Sequence, residues 1–152
     1  MSIDTNVFVV RLLLAAGLSA LLGLEREYHR KPAGLRTNML IGIGSMLFTF
    51  VSIQFAGANG STDRIAAQIV TGIGFLGAGA IMRGTRGETP VHGLTTASAI
   101  WVNAAVGMAV GAGYLMPAAI TAGITLLILA VLGPIERFFE RRARQLANEP
   151  RR

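Results

Sequence analysis

The sequence has no cysteine, which excludes disulfides and thiolate metal centres. It is poor in charge, with 14% of residues charged against about 25% in soluble domains. The most consequential absence is positional: no Asp or Glu lies in the interior of any long apolar stretch. The eight acids (Asp4, Glu25, Glu27, Asp63, Glu88, Glu136, Glu140, Glu149) fall at boundaries, in gaps or in the tail. Mg²⁺ takes oxygen ligands, usually with one or two carboxylates, and a proton-coupled carrier needs a titratable relay. Neither can be drawn at mid-membrane in one copy. No nucleophile–base pair, phosphate loop or metal cluster occurs, and neither His29 nor His92 has a metal-spaced partner. The chain is therefore not expected to be an enzyme.

What the sequence has is apolar length. Five stretches run over 7–24, 38–58, 65–82, 94–111 and 115–133, and 52% of residues are hydrophobic; mean hydropathy is +0.55. Eighteen helical residues at about 1.5 Å each give roughly 27 Å, close to a bilayer's hydrocarbon core. Twelve of the fourteen basic residues lie in alternate gaps or in the tail: Arg26, Arg30, Lys31 and Arg36, then Arg83 and Arg86, then Arg137, Arg141, Arg142, Arg144, Arg151 and Arg152. Only Arg11 and Arg64 lie toward the other side. This positive-inside pattern predicts an all-α polytopic bundle of five transmembrane helices, N-terminus outside and C-terminus cytoplasmic. The pI of 11.3 then reflects charge at membrane edges, where it attracts anionic lipid of the inner leaflet, and not a nucleic-acid surface. Asp4 in place of a basic n-region, and Arg11 inside the first apolar run, argue against a cleavable signal peptide.

The gaps suggest how the spans connect. The turn-rich 59–64 predicts an outside hairpin between helices two and three, with Asp63 at the positive dipole end of the third. Gly111 to Tyr114 is tighter, and Pro117 suits the opening turn of the fifth helix. Gly133-Pro134 is expected to end that helix. This divides the chain into a transmembrane domain, 1–134, and a basic cytoplasmic tail, 135–152. In the tail, Ile135, Phe138, Phe139, Arg142 and Leu146 share one helical face, which reads either as a short amphipathic helix on the inner leaflet or as a solvated tail. Gly34-Leu35-Arg36-Thr37 and Gly93-Leu94-Thr95-Thr96 each follow a Pro-containing gap and open helices two and four. They mark either a parallel repeat of a helical hairpin or a coincidence among glycine-rich helices.

Glycine, 19 of 152 residues, is densest at Gly72-Ile73-Gly74-Phe75-Leu76-Gly77-Ala78-Gly79. Residues 72–77 spell G-x-G-x-x-G, but a dinucleotide site needs a preceding strand and an acid about 20 residues on, where this chain has His92. In lipid, glycine permits close helix approach. Gly72 and Gly79 share one side of the helix, and Gly74, Gly77 and Ala78 lie nearly opposite. This predicts a third helix at the centre of the bundle or at a dimer seam. The alternative is a helix exposing carbonyls to a polar pathway with Gln68 and Thr71. Asn103 and Gln68 are read as bridges between helices, Trp101 as packing. Arg11 is expected to snorkel or to pair with Asp4. Glu25 is the one candidate ligand for a metal, with an ion pair to Arg36 or Arg83 as its competing role.

Gly23-Leu24-Glu25-Arg26, Gly34-Leu35-Arg36-Thr37, Gly72 through Gly79, and Gly93-Leu94-Thr95-Thr96-Ala97 with Trp101 together resemble the membrane domain of the MgtC/SapB family, in order over about residues 8–133. The resemblance implies a multi-pass bacterial inner-membrane protein linked to magnesium homeostasis and adaptation to low magnesium, and in pathogens to virulence. Many members also carry a C-terminal soluble domain resembling an ACT fold, for which this sequence has no counterpart. By motif the positions of interest are Glu25, Arg26, Arg36, Thr37, Gly74, Gly77, Gly79, Thr95 and Thr96. Two functions follow. One is a compact, homodimeric regulatory binding protein acting on other membrane proteins. The other is a channel or carrier for Mg²⁺ or another small cation, with Glu25 at its mouth and Gln68, Thr71 and Gly74 along its path. A third reading gives the cluster of Glu25, Arg36, Thr37, Thr95 and Thr96 an anion or a lipid headgroup.

Overall fold

The computed structural model describes residues 4–56, 63–81 and 92–147. The described chain is entirely helical: α1 Thr5–Tyr28, α2 Leu35–Ala56, α3 Asp63–Ala80, α4 Leu94–Ala112 and α5 Leu115–Ala147. Four segments are long and apolar enough to cross a membrane: Thr5–Tyr28, Leu35–Ala56, Leu94–Ala112 and Leu115–Gly133. The apolar part of α3, Arg64–Ala80, is shorter, spanning about 26 Å at 1.5 Å per residue. The gap between α2 and α3, and Arg83 and Arg86 before α4, lie outside the described residues.

Local chemistry sets the helix ends. Asp4 caps α1, its carboxylate accepting from the N–H of Asn6 at 3.0 Å and of Val7 at 3.3 Å. That carboxylate is therefore not the partner of Arg11. The C-terminus of α1 closes in a Schellman motif: Arg30 N–H donates to Glu27 O at 3.0 Å and Lys31 N–H to Arg26 O at 2.9 Å. The residue in the left-handed position is Arg30, φ 52°, and a second left-handed residue, Ala33, follows at φ 57°. α4 ends the same way with the usual residue, Gly113 at φ 90°; Gly113 N–H reaches Val110 O at 3.0 Å and Tyr114 N–H reaches Ala109 O at 2.8 Å.

Three helices, α1, α2 and α4, make the core. α5 packs on α1 and α4, while α3 leans on α4 and barely touches α2. One apolar cluster joins Ala15, Met46, Phe50, Val106, Val110 and Ala118. A second, where α3 docks, joins Ile41, Ile69, Ile73, Ile100 and Ala104. Bilayer helices associate by close fit, so the contacts that matter run backbone to backbone. A Cβ on Gly107 would strike Gly42 O, one on Gly111 would strike Met46 O, and one on Gly42 would strike Ser19 Oγ. α2 is thus held between α1 and α4 at glycine distance.

Two expectations are corrected. The third helix is not central but peripheral: Gly72, Gly74 and Gly79 have nothing within 4 Å of a Cβ position, and only Gly77 meets a neighbour, Ala97 at 3.7 Å. The central places are taken by Gly42, Gly107 and Gly111. Nor does Gly133-Pro134 end the fifth helix, which continues to Ala147 for 33 residues. A proline removes one rung of the ladder and favours a kink, but a long membrane helix absorbs that loss where its neighbours hold it. The basic segment from 135 therefore begins as the last part of α5 and not as a separate helix. At about 1.5 Å per residue α5 is roughly 50 Å long, so it outruns a bilayer core.

Candidate functional site

The polar residues concentrate at the end of the bundle where α1 stops and α2 and α4 start. Arg26 is 3% exposed. Its Nη2 donates to Thr96 Oγ1, and its Nε and Nη2 donate to Pro32 O at 3.4 and 3.2 Å. One buried guanidinium therefore ties the last turn of α1, the connecting turn and the first turn of α4. Glu27 reaches forward to cap α2, accepting from Leu35 N–H at 3.0 Å. Asn38 donates to Ala33 O and Gly34 O, and its own carbonyl accepts from Asn103 Nδ2 at 2.7 Å.

Glu25 does not pair with Arg36, and Arg83, the other partner expected, lies outside the described residues. Glu25 Oε1 lies 3.0 Å from His29 Nδ1, one turn on, and that nitrogen also lies 3.0 Å from Glu25 O. Glu25 Oε2 is buried without a hydrogen-bond partner among the described residues. No group of three or more His, Asp or Glu side chains able to hold a metal occurs among the described residues. Of the cluster expected from sequence, the structure joins Arg26 to Thr96. Arg36, Thr37 and Thr95 lie at the same end but are exposed, and no hydrogen bond joins their side chains to the others.

The glycine helix frames open surfaces. α2 and α3 diverge to leave an apolar groove of about 620 Å³ between Leu40, Gly44 and Phe48 on one wall and Gln68, Gly72 and Leu76 on the other. Gln68 makes no bridge between helices; its side chain lies on the groove wall. Thr71 Oγ1 donates to Ala67 O at 3.0 Å within its own helix. Gly74, Gly77 and Ala78 line a shallower crevice with Ala97 and Trp101 of α4. Trp101 is half-exposed there, so it packs against α3 on one side only. Asn103 bridges helices as expected, through Asn38 O. Arg11 is held at the C-terminal end of α4: its Nη1 donates to Gly111 O at 2.7 Å and its guanidinium lies 5.5 Å from the Phe50 ring centroid.

Sequence reasoning missed Asn38, Glu27 and Ser19. A signal for Asn38 was present. Asn38, Gly42, Ser45, Thr49 and Ser52 are spaced by four, three, four and three, one continuous small-polar face of α2, and all five are buried. Capping by Glu27 across the turn depends on the left-handed turn residues, which no pattern in the sequence announces.

The profile of the MgtC family matches residues 12–138, most of the chain, with α2, α3 and α4 whole and the larger part of α1 and α5. The chain belongs to the MgtC family. It is 46% identical over 136 residues to the protein named putative magnesium transporter YhiD of Escherichia coli K12, covering 84% of this chain and 61% of that one. It is 42% identical over 123 residues to the protein named MgtC of Brucella abortus, covering 81% and 50%. An uncharacterized protein of Haemophilus influenzae is 37% identical over 150 residues, covering 93% and 62%. The chain thus spans about half to three-fifths of the length of these relatives. No solved structure is significantly similar to it.

Proposed function

We propose that this MgtC-family chain is a non-enzymatic regulatory protein of the bacterial inner membrane. In this reading it serves adaptation to low magnesium, works as a homodimer, and binds other membrane proteins through α3, with its basic ends in the cytoplasm against anionic lipid. The observation that carries it is the division of the bundle into a closed core and an open edge. Between α1, α2 and α4 the backbones come to glycine distance at Gly42, Gly107 and Gly111, so the described helices pack closely along the buried polar face of α2. The unfilled surface lies along α3, where Gly72, Gly74 and Gly79 face open space. Helix interiors facing only lipid gain nothing from glycine, which costs about 1 kcal/mol against alanine. A close-approaching helix does gain from it.

The experiment is Gly74→Leu. Because a Cβ there meets nothing within 4 Å, the variant is expected to fold and insert normally yet to lose growth support in low magnesium. Normal growth from the variant would remove α3 as the working surface. The second reading, a channel or carrier for Mg²⁺ or another small cation, is favoured by the buried Glu25 Oε2, which has no partner among the described residues, and by the name of the Escherichia coli relative.

A further inference from the structure

The turn between α1 and α2 holds two non-glycine residues in the left-handed region, Arg30 at φ 52° and Ala33 at φ 57°. Such backbone persists only where the surroundings over-determine it. Here they do: the Schellman bonds of Arg30 and Lys31, the hold of Arg26 on Pro32 O, the hold of Asn38 on Ala33 O and Gly34 O, and the cap from Glu27 to Leu35 N–H. Glycine would take the Arg30 position without strain. The turn instead presents a guanidinium there. Arg30, Lys31 and Arg36 are all exposed, and their side chains make no hydrogen bond or ion pair among the described residues. Glu27, the exposed carboxylate of the turn, is engaged as the α2 cap.

We infer that this turn is a built recognition element for anionic lipid headgroups, whose phosphate no choline neutralises, with Arg30 held at its apex against its backbone preference. The neighbouring surface favours lipid over an acidic protein. Leu24 is 50% exposed and Tyr28 85% exposed on the turn's approach. An apolar side chain, then an amphipathic aromatic, then a basic group is the order met on passing from hydrocarbon to headgroup. Arginine matches a phosphate bidentately, and the rigid turn fixes where that fork points.

The inference rests on the chain spanning a bilayer but not on which way round it sits, because the two leaflets of a nanodisc are alike. A failure of the regulatory reading would therefore leave this result standing. The test uses the full chain in nanodiscs of phosphatidylcholine alone and of phosphatidylcholine with phosphatidylglycerol, reading the thermal unfolding midpoint. Wild-type protein is expected to gain stability from phosphatidylglycerol. In phosphatidylcholine alone, Arg30→Gly is expected to unfold about 2–4 °C above wild type, since the strain is gone. The same variant is expected to lose much of the phosphatidylglycerol gain, with headgroup affinity down about fivefold. Lys31→Ala, on ordinary backbone, loses the gain without the rise. Overturning results are an Arg30→Gly protein that keeps the full phosphatidylglycerol gain, or a wild-type protein that shows none.

Discussion

Arg11 and Arg26 are two basic groups drawn into this bundle, and each is engaged by backbone of another segment. Arg26 closes the end where α1, α2 and α4 meet. Arg11, toward the other end, donates to Gly111 O, one of the carbonyls left unpaired by the termination of α4. A Cβ on Gly113 would lie 2.8 Å from Arg11 Nη2, so the glycine of the α4 cap also makes room for the guanidinium. A hydrogen bond from a charged donor contributes about 1.5–3 kcal/mol, and its loss would leave the carbonyl unsatisfied in a dry setting. Arg11→Met, which keeps the length and the apolar stem, is therefore expected to destabilise the bundle by about 2 kcal/mol. Thermal unfolding of the purified protein in detergent would register this as a lower midpoint. An unchanged midpoint would mean that water, and not Arg11, serves that carbonyl.

Helices in this chain divide into those that touch through backbone and those that touch through side chains. α2 belongs to the first kind: Gly42 faces Ser19 and Ala15 O on one side, and its carbonyl faces Gly107 on the other. Gly42→Val has no vacant volume to enter and is expected to cost about 3 kcal/mol by forcing α1 and α2 apart. Gly72→Val, the same substitution on α3, opens onto the groove and is expected to leave stability within about 0.5 kcal/mol of wild type. Measured side by side, the pair separates packing glycines from surface glycines. A similar loss from both would place α3 inside a tighter assembly than the monomer. The positions of the helices were legible in the sequence because hydropathy and charge report directly on lipid and on membrane edges, and Leu35 and Leu94 open α2 and α4 where Gly34-Leu35 and Gly93-Leu94 suggested. Which glycines pack was not legible, because density along the chain drew attention to 72–79. The decisive ones are spread singly over α2 and α4 and act only in pairs across helices. The stop expected at Pro134 failed for a related reason: a helix breaker reports a local cost, while continuation is decided over the whole length of α5. At the polar end, the motifs located Glu25, Arg26 and Thr96; the Glu25–His29 pair is plain i,i+4 helical spacing, but the hold of Arg26 on Pro32 O follows from a left-handed turn that residue type conceals.

The molecule as a whole has a sealed centre and an unfinished edge. Among the described residues, Arg26 to Thr96 and Asn103 to Asn38 O join helices, while Thr49 donates within α2 to Ser45 O, and the open surfaces lie outside that seam along α3. The chain belongs to the MgtC family, one relative of which is named putative magnesium transporter, and we propose contact with a partner over passage of an ion. The direct measurement is Mg²⁺ entry into proteoliposomes that hold a trapped indicator, using wild-type protein and Glu25→Ala, each shown to retain its helicity. The account predicts no entry above that of empty liposomes for either protein. Saturable entry with wild type that disappears in Glu25→Ala would contradict it.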